Sequence, residues 1–464
     1  MAHPYMANST PDIRQEMLEA IGAKNIGQLF EQIPVNHRLS RPLQLPPALS
    51  SEVELERHIA GLLSKNESCD TALNFLGAGC WQHYVPAACL EIVGRREWLT
   101  SVCGSPMSDH GRNQAWFEFC SQLGELVGME LVGLPVYSWG CAAGHAIRLA
   151  SRLNGRREVL VVKAIDPERL AVIRNYCETP EMANHIKVTL LDYVFADGRL
   201  DLDDLLSKIS DNTAAVYFEI PSYLGIIDGD AAKIIAIAHS KGAEAIVGVD
   251  PISLGVLAGP GQYDADIVVG PMQSLGVPMN CGGGVGGFIA SRDDARYARE
   301  YPTFLLSITD TIKPGERGFG LSLFHQTSYG LREKGKDWTG NSTYMWAIAN
   351  AAYMALMGPQ GFRDIGELIL QQTHFAASLL GKIPGVRIVF PLHFFKEFVV
   401  NFDGAGKRVA EVNKMLRREG IFGGKDLSKE FPELGQSSLY CVTEIHTRQD
   451  LERLAAAIEG IVAA

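Results

Sequence analysis

The sequence predicts an α/β chain built on a mainly parallel sheet with helices on both faces. Between about residues 76 and 320, short β-branched runs alternate with segments of helical period. The runs are short and rich in β-branched and other apolar residues, the pattern of a mainly parallel sheet covered on both faces.

The elements follow in chain order. Residues 1–75 read as an N-terminal arm. An amphipathic helix begins at 12–18, with Thr10 as N-cap and Pro11 in the first turn. The stretch 34–47 carries four prolines and reads as extended, wrapping over other structure, and 51–65 is helical by period. Strands are expected at 158–162, 185–191, 214–220, 245–249 and 265–269, with helices fitting at 114–128, 141–153, 167–178, 200–209 and 230–241. A long helix is placed at 342–357. Beyond it, strands at 386–390 and 397–402 and a helix at 449–463 form a smaller α+β region. The expected division is an arm at 1–75, a large α/β domain at 76–325 and a small α+β domain at 326–464.

Bulk properties narrow the function classes. A formal net charge of -11 argues against nucleic acid or an anionic membrane as the main partner. No apolar run approaches a membrane span, and 1–11 lacks the apolar core of a secretory signal. The nine cysteines are scattered and odd in number, which fits free thiols in a reducing cytosol. The twelve histidines form no HxxxH or HExxH, so no metal centre is expected.

Several residues have the character chemistry requires. Asp250 ends the run at 245–249, and the carboxyl ends of parallel strands are where open α/β sheets bind ligands. An aspartate there either pairs with the pyridinium nitrogen of pyridoxal phosphate (PLP) or makes a strand-end turn before Pro251. The lysine that would form the internal aldimine belongs on the loop after the next strand. That loop is 270–278; it carries Gln273, and no lysine lies between Lys241 and Lys313. Either the fold is not a PLP fold, or its own site is vestigial.

Five of the six residues at 282–287 are glycine. Gly282 and Gly283 precede a strand-like Phe288-Ile289-Ala290 rather than a helix. The run therefore fits a tight turn under a cofactor site or subunit interface better than a dinucleotide loop. Ser138, Gly140 and Cys141 open a helix whose first N–H groups either hold an anion or simply permit small-residue packing. His83 reads as an acid, a base, a ring-stacking partner or a satisfied structural histidine. Lys334 is a candidate cation, with an ordinary surface lysine as the alternative.

Together these pieces resemble a known family. Ile13-Arg14-Gln15-Glu16-Met17-Leu18-Glu19-Ala20-Ile21-Gly22, Arg41-Pro42-Leu43-Gln44-Leu45-Pro46-Pro47-Ala48-Leu49-Ser50 and Asn74-Phe75-Leu76-Gly77-Ala78-Gly79 are similar to glycine dehydrogenase (decarboxylating) subunit 1, the α half of the two-subunit glycine cleavage P-protein. So are Gly248-Val249-Asp250-Pro251-Ile252-Ser253-Leu254-Gly255, Ala265-Asp266-Ile267-Val268-Val269-Gly270, Glu397-Phe398-Val399-Val400 and Phe431-Pro432-Glu433-Leu434-Gly435. The resemblance spans roughly 10–460.

It implies the PLP-dependent transferase fold of the aspartate aminotransferase type, fold type I, with a large α/β domain and a smaller C-terminal one. It implies that a β subunit carries the PLP lysine and that Gln273 here is a family feature. It further implies a cytoplasmic α2β2 assembly that decarboxylates glycine and passes the aminomethyl group to a lipoyl carrier protein, the H-protein. Asp250 would then mark a degenerate site, with this chain completing the partner's site and inactive alone. The sequence departs from the family pattern at 106–112, at Trp81 and Trp139, and at 336–343. Drift in a vestigial site, a paralogous subunit acting on another amino acid, and a non-catalytic scaffold on the same fold are the readings this leaves open.

Overall fold

The computed structural model describes residues 3, 5–98, 106–181, 183–280, 285–337 and 343–464, without the side chains of 7, 106–111 and 329. The chain forms two compact units, Met1–Glu67 and Ser68–Ala464. In the first, helices α1 (Pro11–Ala20) and α2 (Glu52–Leu63) are joined by chain without regular structure apart from short 3-10 turns. Thr10 precedes α1, but its side chain makes no capping hydrogen bond. Pro11 fixes the first turn instead, since its missing N–H is one the helix cannot use there.

The second unit is organised by a seven-stranded sheet. After a two-residue strand β1 (Leu73–Asn74), helices α3 (Ala87–Val93) and α4 (Pro106–Val127) lead to strand β2 (Leu131–Val132) and helix α5 (Trp139–Asn154). Strands β3 (Glu158–Val162), β4 (Lys187–Leu191), β5 (Thr213–Ile220), β6 (Glu244–Val249) and β7 (Ile267–Pro271) follow, separated by α6 (Pro167–Cys177), α7 (Leu202–Lys208) and α8 (Ala231–Ser240). Strand β8 (Gly287–Ser291) closes the set, which runs in the order β2-β8-β7-β6-β5-β3-β4. Strands β3 to β7 pair in parallel, and β8 pairs antiparallel with β7. Every residue of β5, β6, β7 and β8 is buried. Helix α5 lies against β5, β7 and β8, so the apolar runs are covered as their composition requires.

After the short helix α9 (Ala295–Ala298), strands β9 (Leu305–Asp310) and β10 (Arg317–Ser322) form an antiparallel hairpin packed on α4, with Phe319 against Phe117. A one-turn helix α10 (Ser328–Leu331) precedes α11 (Tyr344–Leu380). Helix α11 runs well past the expected end at 357. Gly358 takes a left-handed φ of +56°, and Pro359 starts a second helical stretch, so the Gly-Pro pair kinks the helix without ending it. The C-terminal region builds a second sheet from β11 (Arg387–Ile388), β12 (Glu397–Asn401), β14 (Lys425–Asp426) and β15 (Ser437–Cys441), in the order β11-β12-β15-β14. Strand β13 (Ile421–Phe422) pairs with β1, and helices α12 (Val409–Arg418) and α13 (Arg448–Ala463) complete this core with the end of α11.

Helix α4 starts eight residues before the expected 114, since the polar run at 106–112 carries no apolar period to mark it. The hairpin was not expected at all. Apart from the buried Leu305, its strands are half-buried or exposed and lack the apolar runs that mark the central sheet.

Candidate functional site

Asp250 leaves the carboxyl end of β6 and begins the 3-10 turn Pro251–Gly255. The strand-end turn read from its position is present, and the same carboxylate also pairs with a cation of this chain. Oδ1 accepts from the Ile252 N–H at 3.2 Å, serving the turn, while Oδ2 lies 2.7 Å from Lys396 Nζ. Lys396 stands immediately before β12, and its ammonium sits 3.5 Å from the centre of the Trp81 ring. It also lies 3.0 Å from His83 Nε2, and His83 Nδ1 lies 2.7 Å from Glu444 Oε2. Lys396 can donate to Nε2 only if the histidine proton is on Nδ1, where Glu444 accepts it. The result is a buried chain, Glu444–His83–Lys396–Asp250, drawn from four distant parts of the sequence. Burial acts to raise the Glu444 carboxyl, but the His83 ring and the Tyr84 N–H, which donates to Oε1 at 2.7 Å, together hold it down at about 2.

A second ionic cluster stands beside the first. Arg169 on α6 donates to both oxygens of Glu219 at 2.7 Å, and the Tyr217 hydroxyl donates to the same carboxylate at 2.6 Å. The Arg169 guanidinium stacks 3.4 Å above the Trp139 ring, and Trp139 meets Trp81 with ring centres 6.3 Å apart. Glu397 completes the group. Its Oε1 accepts from the Ala78 N–H at 2.6 Å, and burial pushes its carboxyl up to about 7.

These side chains surround a cavity of about 20 Å³ between Trp81, Trp139, Asp250 and Lys396, room for about one water. Sites for drug-sized ligands and cofactors enclose about 300–1,000 Å³. The aspartate that would meet a pyridinium nitrogen is already paired, His83 and the Trp81 face are both taken up by the Lys396 ammonium, and no amine replaces Gln273. The residues present in this cleft therefore do not fit a PLP ring.

The other expected site residues fall in different places. Gln273 is 2% exposed and closes on the backbone. Its Nε2 donates to the Trp81 and Val277 carbonyls and its Oε1 accepts from the Trp81 N–H. Ser138 caps α5 by accepting from the Cys141 N–H at 3.2 Å. At Gly140 a Cβ would stand 3.0 Å from Val172, so this glycine lets α6 approach α5. The start of α5 also lines an opening of about 180 Å³ shared with Cys80, Asp166, Glu168 and Arg169, whose two carboxylates make it a poor anion cradle. Burial pushes the Cys80 thiol there up to about 11. Lys334 lies exposed in the short turn Arg332–Lys334 and lines neither cavity. Gly282 and Gly283, and 338–342 of the divergent 336–343 segment, lie outside the described residues, as do the side chains of 106–111.

Lys396, Glu397, Glu444, Arg169 and Glu219 escape sequence reasoning. The one available signal was the charged pair Lys396-Glu397 inside the apolar run 394–400. Among the described residues no cluster of His, Cys, Asp and Glu could hold a metal ion, and no helix is long and apolar enough to cross a membrane.

Comparison with known proteins agrees with this architecture. The family model of the glycine cleavage system P-protein matches residues 4–458. A probable glycine dehydrogenase (decarboxylating) subunit 1 of Staphylothermus marinus is 35% identical over 99% of this chain and 98% of the relative. One from Desulforamulus reducens is 36% identical over 97% and 98%. A crystal structure of glycine decarboxylase (P-protein) of the glycine cleavage system, in inhibitor-bound form, superposes with a TM-score of 0.85 at 32% identity, covering 99% of this chain and 100% of that one. A sphingosine-1-phosphate lyase of Burkholderia pseudomallei shares the fold alone, at TM-score 0.65 and 14% identity over 93% and 94% of the two chains. The fold is that of the PLP-dependent transferases, fold type I, and the chain belongs to the glycine cleavage system P-protein family.

Proposed function

We propose that this chain is the α subunit of a heteromeric, PLP-dependent glycine decarboxylase that takes the carboxyl group from glycine and passes the aminomethyl group to a lipoyl carrier protein. The cofactor is held by a lysine of a β subunit, in a cytoplasmic α2β2 assembly, and the chain is inactive alone. Within it, the large α/β domain at 76–325 and residues 395–397 of the small domain supply the walls of the chain's own closed cleft, and the large domain supplies the surface that completes the partner's site. The observation that carries the reading is a match over nearly the whole chain to relatives named as subunit 1, combined with Gln273 in place of an amine. No step of the reaction is assigned to this chain's cleft, because its charged groups are consumed by one another.

The test is exchange of labelled bicarbonate into the carboxyl of glycine. The chain alone is expected to show no exchange and no cofactor absorbance. The chain co-purified with its partner, in the presence of a lipoyl carrier, is expected to show both. Full exchange by the isolated chain would refute the division of labour.

A second reading is favoured by Trp81 and Trp139, which depart from the family pattern and fill the cleft. In it the chain is a paralogous subunit whose complex acts on another amino acid. Screening the complex for carbon dioxide release from a panel of α-amino acids separates the two, since glycine leads in one case and not in the other.

A further inference from the structure

We propose that Lys396 is a built-in substitute for a cofactor ring, a tethered cation that keeps this chain's own cleft closed to any pyridine ring or amino acid. The proposal rests on the functional reading above in one respect, that the fold is one in which an aspartate at the end of β6 meets a cofactor cation. The rest is geometry. A protonated pyridine nitrogen and a lysine ammonium offer a strand-end carboxylate the same thing, one positive charge with an N–H to donate. Lys396 Nζ lies 2.7 Å from Asp250 Oδ2. It also stands 3.5 Å from the centre of the Trp81 ring, as a stacked cationic ring would lie over an aromatic face. The same nitrogen is 3.0 Å from His83 Nε2, and His83 is fixed from behind by Glu444 at 2.7 Å, so the ammonium is held from three sides.

The side chains of Lys396 and Asp250 are 3% and 4% exposed. A buried lysine on a flexible stem is retained only where its charge is neutralised on the spot, and Asp250 provides that neutralisation. The cleft needs no outside ligand for its aspartate, and the about 20 Å³ left beside the pair admits none larger than water. Lys396 enters from the small sheet, and Asp250 and Trp81 belong to the large-sheet side. The pair therefore also ties the two layers together across the place a ligand would occupy.

The experiment uses the full chain and three variants. Lys396→Ala removes the cation and leaves the buried Asp250 without its counter-ion. Lys396→Met keeps the stem, and Lys396→Met/Asp250→Asn removes both charges. The expected results are a melting temperature several degrees lower for Lys396→Ala, and recovery of at least half of that loss by n-propylammonium, which leaves the parent unchanged. Tetramethylammonium, which has no N–H, gives no such recovery. The double variant melts above Lys396→Met, and this ordering decides the matter if Lys396→Ala does not fold. Incubating the parent with PLP and borohydride is expected to leave the peptide carrying Lys396 unmodified. A pyridoxyl group on Lys396, a melting temperature for Lys396→Ala equal to the parent's, or a double variant no more stable than Lys396→Met would each overturn the proposal. Glycine exchange by the complex is a separate measurement. If exchange fails while the Lys396 results hold, the functional reading alone falls, and if Lys396 is pyridoxylated while exchange holds, only this proposal falls.

Discussion

Arg169→Met tests how the second ionic cluster is held. Arg169 and Glu219 are 5% and 3% exposed, and the guanidinium meets both carboxylate oxygens at 2.7 Å. Methionine fills much of the same volume but leaves Glu219 with only the Tyr217 hydroxyl as a side-chain partner. Stranding one member of a buried ion pair costs about 3–5 kcal/mol, and loss of the stack on Trp139 adds about 0.5–2 kcal/mol. Unfolding entropy of about 2.1 cal/mol/K per residue amounts to about 0.8 kcal/mol/K for the roughly 400 residues of the larger unit. The ionic term alone then lowers the melting temperature by about 4–6 °C. Near-ultraviolet circular dichroism during a thermal ramp reads it, because Trp139 and Trp81 lie in the affected region. Burial already raises the Glu219 carboxyl, and Arg169 is the main group opposing that rise. In the variant the folded chain takes up a proton more readily, so its deficit narrows as pH falls toward 4.5, the ordinary carboxyl value. Arg169→Met/Glu219→Gln is expected to recover more than half of the loss. A single variant that melts with the parent in mildly alkaline buffer would refute the reasoning, as would a double variant that falls by the sum of the two single losses.

Three further outcomes are expected. Glu397 titrates at about 7 in the folded chain against an ordinary 4.5, so it holds a proton that the unfolded chain releases between those values. The parent should therefore lose stability relative to Glu397→Gln as pH rises through that window, and parallel curves across it would contradict the assignment. Glu444 has the opposite sign. Its carboxyl is held at about 2, so the advantage of the parent over Glu444→Gln is full above pH 4.5 and shrinks as pH falls toward 2, read by melting over that range. Gly225→Ala places a Cβ 1.9 Å from the Glu397 carbonyl oxygen at a φ of +86° and should abolish soluble folded protein. Gly315→Ala, at φ +81° with nothing within 4 Å, should cost only about 1 kcal/mol, and equal losses at the two sites would remove the steric argument.

The positions of β3, β5, β6 and β7 were legible because a strand buried on both faces is mostly apolar and β-branched, a property local to a few positions. Asp250 was legible for the same reason, as the first charge after such a run. The missing amine at Gln273 was equally plain, because an absence over 242–312 needs no contacts to be seen. The hairpin β9–β10 was hidden because its half-exposed strands bury no full face. The continuation of α11 was hidden because Gly358-Pro359 is locally a stop, overridden by packing of both halves of the helix. What occupies the space before Asp250 was decided only by the tertiary structure. Lys396 and His83 are 313 positions apart and His83 and Glu444 are 361 apart, and an ion pair leaves no periodic trace at such separations. The chain's composition fixes which charges exist, but only folding decides which of them are forced to neutralise one another out of reach of water.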